Sequence, residues 1–275
     1  MDRILEVEVM QKGYTSKPLS FNRKMVAASA SVTAGKNTIH SLSEVDITEP
    51  RRVIKVHFEK TGEKLSFTAY IVYCLAQVIK EHPHLNSFIR RNRLITLEDV
   101  TISTLVEREF DGEKVPEPVN IKAAQDLTFH QISQLIREAK KDSARHMGKL
   151  SGMAWIRFIP GFLLKTFVYM ADRNLKLAKR YGKVAVTAVG MFSREPVWFI
   201  PHGSGTILIT VGSIEQRTVF IENSHETREF MCLTGSFDHN IVDGAPAARF
   251  MNQFLETVKS GRYLTIDSYD YLPAK

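Results

Sequence analysis

Two hydrophobic periods divide the chain, a helical one near 3.6 and a strand-like one of 2, and the switches between them outline its elements. Residues 19–35 read as a helix: Leu19, Met25, Val26, Ala27 and Ala30 supply the apolar positions and Gly35 the stop. Residues 40–47 alternate loosely, as a strand does. A helix over 49–60 would end at Thr61-Gly62. In 66–82, Phe67, Ile71, Leu75, Val78 and Ile79 fall near one helical stripe, Ser66 fits an N-cap, and Pro83 forces an exit. Strands are predicted at 87–90, 93–96 and 99–106, with a turn at Asp111-Gly112. Residues 115–121 read as extended, because Pro116 and Pro118 disfavour helix. The spacing over 128–146 predicts a helix with Phe129, Ile132, Leu135 and Ile136 inward. Strands follow at 183–189, 206–214, 217–222 and 229–236. An amphipathic helix over 245–260 is closed by Gly261, and a polar tail follows at 263–275. The mixture predicts a single α/β domain built in layers.

One segment breaks the pattern. Residues 152–181 begin with a very apolar run, GMAWIRFIPGFLLKTFVYM, interrupted by Arg157, Lys165 and Pro160-Gly161, and continue as DRNLKLAKRY. Charges inside the run and a central break argue against a transmembrane helix. A helical insertion, buried in the protein or between subunits, is the preferred reading; an interfacial membrane helix with a basic flank is the alternative.

The 275 residues carry 37 basic and 30 acidic side chains, a formal net charge of +7. No Lys/Arg run is dense enough to select nucleic acid, so the surplus reads as a solvated basic surface. The only two cysteines, Cys74 and Cys232, sit in apolar stretches without a C-x-x-C, as buried thiols of a reducing compartment do. The N-terminus places charges where a signal peptide needs an apolar core, so a cytoplasmic protein is expected.

Candidate chemistry concentrates in Phe237-Asp238-His239-Asn240-Ile241-Val242-Asp243-Gly244, between a strand-like and a helix-like run. A histidine at the end of a strand is exposed at the sheet edge and can accept and return a proton near neutral pH. Gly244 would permit an unusual backbone angle before the helix, and Asp243 could pair with a cation and fix the loop. A histidine that only hydrogen-bonds within a turn is the alternative reading of the motif by itself.

The stretch LTGSFDHNIVDGAPAARFMNQFLETVKSG resembles the C-terminal segment of the dihydrolipoamide acyltransferase cores of 2-oxo acid dehydrogenase complexes, where D-H-R-x-x-D-G precedes a helix; the related chloramphenicol acetyltransferases carry H-H-x-x-x-D-G. PLSFNRKMVAAS, HSLSEVDIT, KLSFTAYIVYCLAQVIKEHPHLNSFIR, VPEPVNIKAAQDLTFHQISQLI and KVAVTAVGMF resemble other segments of those cores in the same order. The resemblance implies a chloramphenicol acetyltransferase-like two-layer α/β sandwich, a mixed sheet packed with helices, trimeric with active sites between subunits. It implies His239 as general base toward the thiol of coenzyme A or an acceptor. It implies Thr187 as the hydroxyl that steadies the developing oxyanion, and Asp243 as a structural carboxylate braced by Arg23 beside Gly244. Coenzyme A or its acyl thioester would be a substrate, with no metal and no lipoyl group covalently held on this chain. His239 and Thr187 would come from different subunits.

Departures qualify the resemblance. Asn240 stands where arginine is usual, Ala188 replaces the asparagine of S-N-L-G, and PHGSG replaces N-P-P-Q. No lipoyl or peripheral subunit-binding domain is visible, and the tail DSYDYLPAK lacks the hydrophobic ending that joins trimers into larger cores, so a free homotrimer is expected. A stand-alone acyltransferase with a small acceptor is the leading reading. The alternatives are service to a lipoyl domain on another chain, a non-catalytic scaffold, and a peripheral membrane protein.

Overall fold

The computed structural model describes residues 9–11, 13–16, 18–110, 113–141, 161–190, 193, 195–221 and 224–265. Elements run in the order β1 (Val9–Gln11), β2 (Tyr14–Ser16), α1 (Phe21–Thr33), β3 (Thr38–Asp46), α2 (Thr48–Thr61), α3 (Phe67–Glu81), β4 (Ser87–Arg90), β5 (Arg93–Thr96), β6 (Ile102–Phe110), β7 (Glu113–Ile121), α4 (Phe129–Lys141), α5 (Gly161–Asp172), α6 (Leu175–Tyr181), β8 (Val184–Ala188), β9 (Ile207–Ile221), β10 (Ser224–Asp238), α7 (Gly244–Ser260) and α8 (Arg262–Thr265). Six strands form one mixed sheet in the order β3-β10-β9-β8-β6-β7, and β1-β2 and β4-β5 make separate hairpins. The β8 strand runs parallel to both neighbours; the remaining pairings are antiparallel.

Helices α2, α3, α4 and α7 cover one face of the sheet and build the expected two-layer sandwich. The α3 helix begins at a Ser66 cap, whose hydroxyl accepts from the Ala69 amide. Its core positions are sealed from water on several sides, because α4 and α7 flank it. Its Tyr70 hydroxyl donates to the carbonyl of Val258 at 2.8 Å, so this buried polar tip is satisfied. Phe237 at the end of β10 packs edge-on against Phe250 of α7, with ring centroids 5.8 Å apart. Gly235 leaves room for Met251 of α7 beside that contact: a Cβ there would stand 2.5 Å from the Met251 sulfur. Gly261, at φ +63°, ends α7 in the left-handed conformation that glycine tolerates best.

Three expectations change. The strands at 206–214 and 217–222 are one strand, β9, and its partner β10 extends from Ser224 rather than residue 229. Their outer halves are charged, which hides the period, yet cross-strand pairing continues to Ile221 and Ser224. Leu19 precedes α1 and is exposed, as is Val26 within it, whereas Ala28 and Met25 pack on Leu164, Phe167 and Val168 of α5. In α4, Leu135 is likewise exposed while Phe129, Ile132 and Ile136 are buried. The atypical segment therefore folds as two short helices over residues 161–181, with α5 laid on α1. Among the described residues, no helix is long and apolar enough to cross a membrane. The predicted turn at Asp111-Gly112, the end of the helix expected to reach 146, the start of the segment at 152–160 and the tail beyond 265 lie outside the described residues.

Candidate active site

Four strand ends meet at one edge of the sheet. Thr38 of β3 pairs with Asp238 of β10, and Ile207 of β9 pairs with both Phe237 and Val184 of β8. The chain then turns: the amides of Ile241 and Val242 donate to the Asp238 carbonyl at 2.9 and 3.0 Å. That turn lifts His239 off the strand and delivers the chain into α7. The His239 amide donates to the Asn37 carbonyl at 2.7 Å. The imidazole Nδ1 lies 3.1 Å from the Val242 carbonyl, and its side chain is 44% exposed. A carbonyl can only accept, so Nδ1 carries the proton and Nε2 is left free to take another.

Asp243 is the N-cap residue of α7, but its side chain makes no cap hydrogen bond. Its carboxylate is 86% exposed and 3.7 Å from His239 Nδ1. The expected Arg23–Asp243 brace is not formed: among the described residues no carboxylate lies within ion-pair distance of Arg23. The reason is helix geometry. Arg23 sits in the first turn of α1, and it is the residues following the far end of α1, Lys36 and Asn37, that meet the His239 turn. Ten helical residues separate Arg23 from that end by about 15 Å. Gly244 also differs from expectation, since it starts α7 without a positive φ and a Cβ there would meet nothing within 4 Å.

Thr187 lies on β8, half-buried, with no described residue bonded to its hydroxyl. It pairs with Thr210, which pairs in turn with Thr234 of β10. The hydroxyls of Thr210 and Thr234 are buried without a partner, so one row of the sheet holds three threonines with unspent hydrogen-bonding capacity. His239 is five residues beyond Thr234. At about 3.3 Å per residue and about 4.8 Å per strand, Thr187 is roughly 16 Å along the sheet and 10 Å across it from His239. Within one chain the two side chains cannot meet.

The residues that do meet at the His239 turn form a cluster that sequence reasoning did not find. Lys36 Nζ stands 3.5 Å from Asp238 Oδ2 and 3.8 Å from Asp172 Oδ2, and donates to the Ser204 carbonyl at 2.6 Å. Lys183 Nζ donates to Asp172 Oδ1 at 2.7 Å. Asp238 Oδ1 accepts from the Asn240 amide and side chain at 3.1 and 2.8 Å, and Asn37 Nδ2 donates to Asn240 Oδ1 at 3.2 Å. Burial pushes the Asp172 carboxyl up, but Lys183 and Lys36 outweigh it and hold it below the usual carboxylate value. For Lys183, burial is the larger effect and pulls the ammonium below its usual value against the attraction of Asp172. The one signal in the sequence was Lys183, a charge at the head of an apolar strand.

A groove of about 950 Å³ lies elsewhere, lined by Arg51, Arg52, Phe58, Lys64, Ile136 and Arg137 among others. Glu229 at its wall is ten residues down β10 from His239, roughly 33 Å away. Three of its arginines are paired, Arg51 with Glu229, Arg52 with Glu49 and Arg137 with Glu63. No histidine lines this groove, and His239 lies outside it.

Known proteins match along most of the chain. The Bacillus subtilis lipoamide acyltransferase component of the branched-chain alpha-keto acid dehydrogenase complex is 28% identical over 225 residues, 80% of this chain and 46% of that protein. A Staphylococcus aureus dihydrolipoyllysine-residue succinyltransferase component of the 2-oxoglutarate dehydrogenase complex is 24% identical over 269 residues, 93% of this chain and 56% of that protein. The chain thus spans about half the length of the curated relatives it matches. The fold superimposes on a probable dihydrolipoamide acetyltransferase from Listeria monocytogenes with a TM-score of 0.69 and 21% identity, covering 95% of this chain and 100% of the other. It superimposes on the Azotobacter vinelandii dihydrolipoamide acetyltransferase with a TM-score of 0.67 and 17% identity, covering 90% and 93%. A sequence model of the 2-oxoacid dehydrogenases acyltransferase (catalytic domain) matches residues 11–153 and 176–265, passing over 154–175, and the chain belongs to that family.

Proposed function

We propose that this chain is an acyltransferase of coenzyme A thioesters that works as a homotrimer, with His239 of one subunit facing Thr187 of the next. The observation that carries the reading is the separation of these two residues within one chain, beside a histidine whose Nε2 is free. In the Azotobacter relative a serine, a histidine and an asparagine were investigated for catalytic roles; their sequence separations, 52 and four residues, are those of Thr187, His239 and Asp243 here. Both cysteines are buried free thiols, which suits the reducing cytoplasm.

His239 Nε2 takes the proton of the incoming nucleophile, a thiol or another small acceptor. The nucleophile attacks the thioester carbonyl, and the resulting oxyanion accepts a hydrogen bond from the neighbour's Thr187 hydroxyl. The carbon–sulfur bond then breaks, and the leaving coenzyme A thiolate recovers the proton from Nε2. Both substrates meet at one imidazole, so no acyl-enzyme is needed. A second reading, transfer to a lipoyl group carried by a separate chain, is favoured by relatives named for lipoamide and dihydrolipoyllysine residues.

Complementation tests the shared site. His239→Ala and Thr187→Ala trimers should each turn over acetyl-coenzyme A slowly, and co-expressed mixed trimers should regain about a quarter of wild-type activity by random assembly. Mixed trimers no better than the parents, with wild-type active, would sink the shared site. A wild-type chain without thioester turnover would sink the enzymatic reading.

A further inference from the structure

The turn that carries His239 is fastened to the two residues after Gly35. Lys36 reaches Asp238 on one side of the histidine, the Asn37 carbonyl takes the His239 amide, and the Asn37 side chain holds Asn240 on the other side. Lys36 is itself aimed from behind by the Asp172 carboxylate and the Ser204 carbonyl. Lys183 then bonds both the carboxylate and the carbonyl of Asp172, at 2.7 and 2.6 Å. Further backbone links brace the cluster: the Thr206 amide donates to the Lys183 carbonyl at 2.7 Å, and the Asp238 amide to the Thr206 carbonyl at 3.0 Å.

We propose that Lys36, Asn37 and Asp172 are positioning residues that fix the His239 turn, and that helix α5 is present in part to supply Asp172. The role for His239 rests on the functional reading above. Two ammoniums alternate with two carboxylates, with side chains between 7% and 21% exposed, so the cluster is neutral and largely out of water. Desolvation makes such a cluster a poor source of stability compared with apolar packing. What it does provide is direction. A lysine that faces three oxygens, from α5, β10 and the loop before β9, is restrained in direction, and so is the Asp238 side chain it meets. Asp238 uses its second oxygen to hold Asn240, so both neighbours of His239 are restrained. Asp172 lies within residues 154–175, which the family match passes over, and α5 packs on α1 just ahead of Lys36. One corner of the device is therefore supplied from outside the residues that the family match covers.

Hydrogen–deuterium exchange of the turn, read beside turnover, tests the proposal on the full chain. Lys36→Met should speed exchange of the amides at 239–242 about tenfold or more, leaving those at 231–235 unchanged. It should lower kcat for acetyl-coenzyme A roughly 10-fold or more, with KM within about twofold, because a misplaced base costs the chemical step rather than binding. Lys36→Arg should recover part of both losses. Asn37→Ala at the surface and the paired change Asp172→Asn with Lys183→Met should act in the same direction, and they decide the matter should Lys36→Met fail to fold. Unchanged exchange at 239–242 in these variants overturns the clamp, and faster exchange with wild-type kcat overturns its positioning role. Exchange needs no activity, so it judges the clamp even where the wild-type chain proves inactive and only the functional reading fails.

Discussion

His239 Nδ1 lies 3.1 Å from the carbonyl of Val242, in the turn His239 itself begins, and 3.7 Å from the carboxylate of Asp243. The carbonyl, fixed by the turn, sets which ring nitrogen is protonated; the carboxylate, 86% exposed, adds a charge that water screens. His239→Ala should therefore cost about 10²–10⁴ in kcat for thioester turnover. Asp243→Asn should cost less than about tenfold, and Arg23→Ala should leave stability within about 0.5 kcal/mol of wild type. An Asp243→Asn variant as slow as His239→Ala would place that carboxylate in the reacting machinery.

Two glycines near the site make opposite demands. Gly235 is pressed by Met251, so a methyl group must displace the sulfur or shift α7. Gly235→Ala should lose about 1–3 kcal/mol in urea unfolding. Gly244 opens α7 into free space, and Gly244→Ala should unfold at the same urea concentration or slightly higher. Loss of turnover in a Gly244→Ala chain of full stability would show that substrate or a neighbouring subunit needs the room.

Much of this was readable from local pattern. Ser66 and Pro83 bracket α3 because capping and chain exit are decided within a few residues. The motif located His239 at a strand end because strand, turn and helix are contiguous there. The clamp was not readable. Lys36 and Asp172 are ordinary charges in sequence, and only the pairing of Thr38 with Asp238 and the packing of α5 on α1 bring them together. The Arg23 brace failed for a related reason, since the resemblance supplied residue types without the length of helix between them. The fold of β9 and β10 past their apolar halves was hidden by Arg217 and Arg228, which face Glu44 and Asp46 across the strands.

Cys74 and Cys232 are both free and buried. Burial pushes the Cys74 thiol up to about 12, far from the thiolate that reagents attack. Native protein at neutral pH should show neither thiol to an aromatic disulfide reagent over minutes, and both after denaturation in urea. A native thiol reacting at the speed of the free amino acid would contradict the packing of α3 or of β10.

Acid should find the Asp172–Lys183 pair before it finds most of the core. Lys183 and Lys36 overcome burial to hold Asp172 below the usual carboxylate value, and Thr48 and Arg228 do the same for Asp46. The native chain then binds fewer protons at these groups than the unfolded chain. Their contribution is complete above the ordinary carboxylate value of about 4 and is lost as pH falls through the lower native values. Asp172→Asn alone should cost about 3–5 kcal/mol at pH 7, because it strands a buried ammonium; adding Lys183→Met should restore most of it. The double variant should also lose less stability than wild type between about pH 5 and 3, since one of the depressed carboxyls is gone. Urea unfolding across that range distinguishes the outcomes, and a double variant as acid-sensitive as wild type would mean that Asp172 is not held as described.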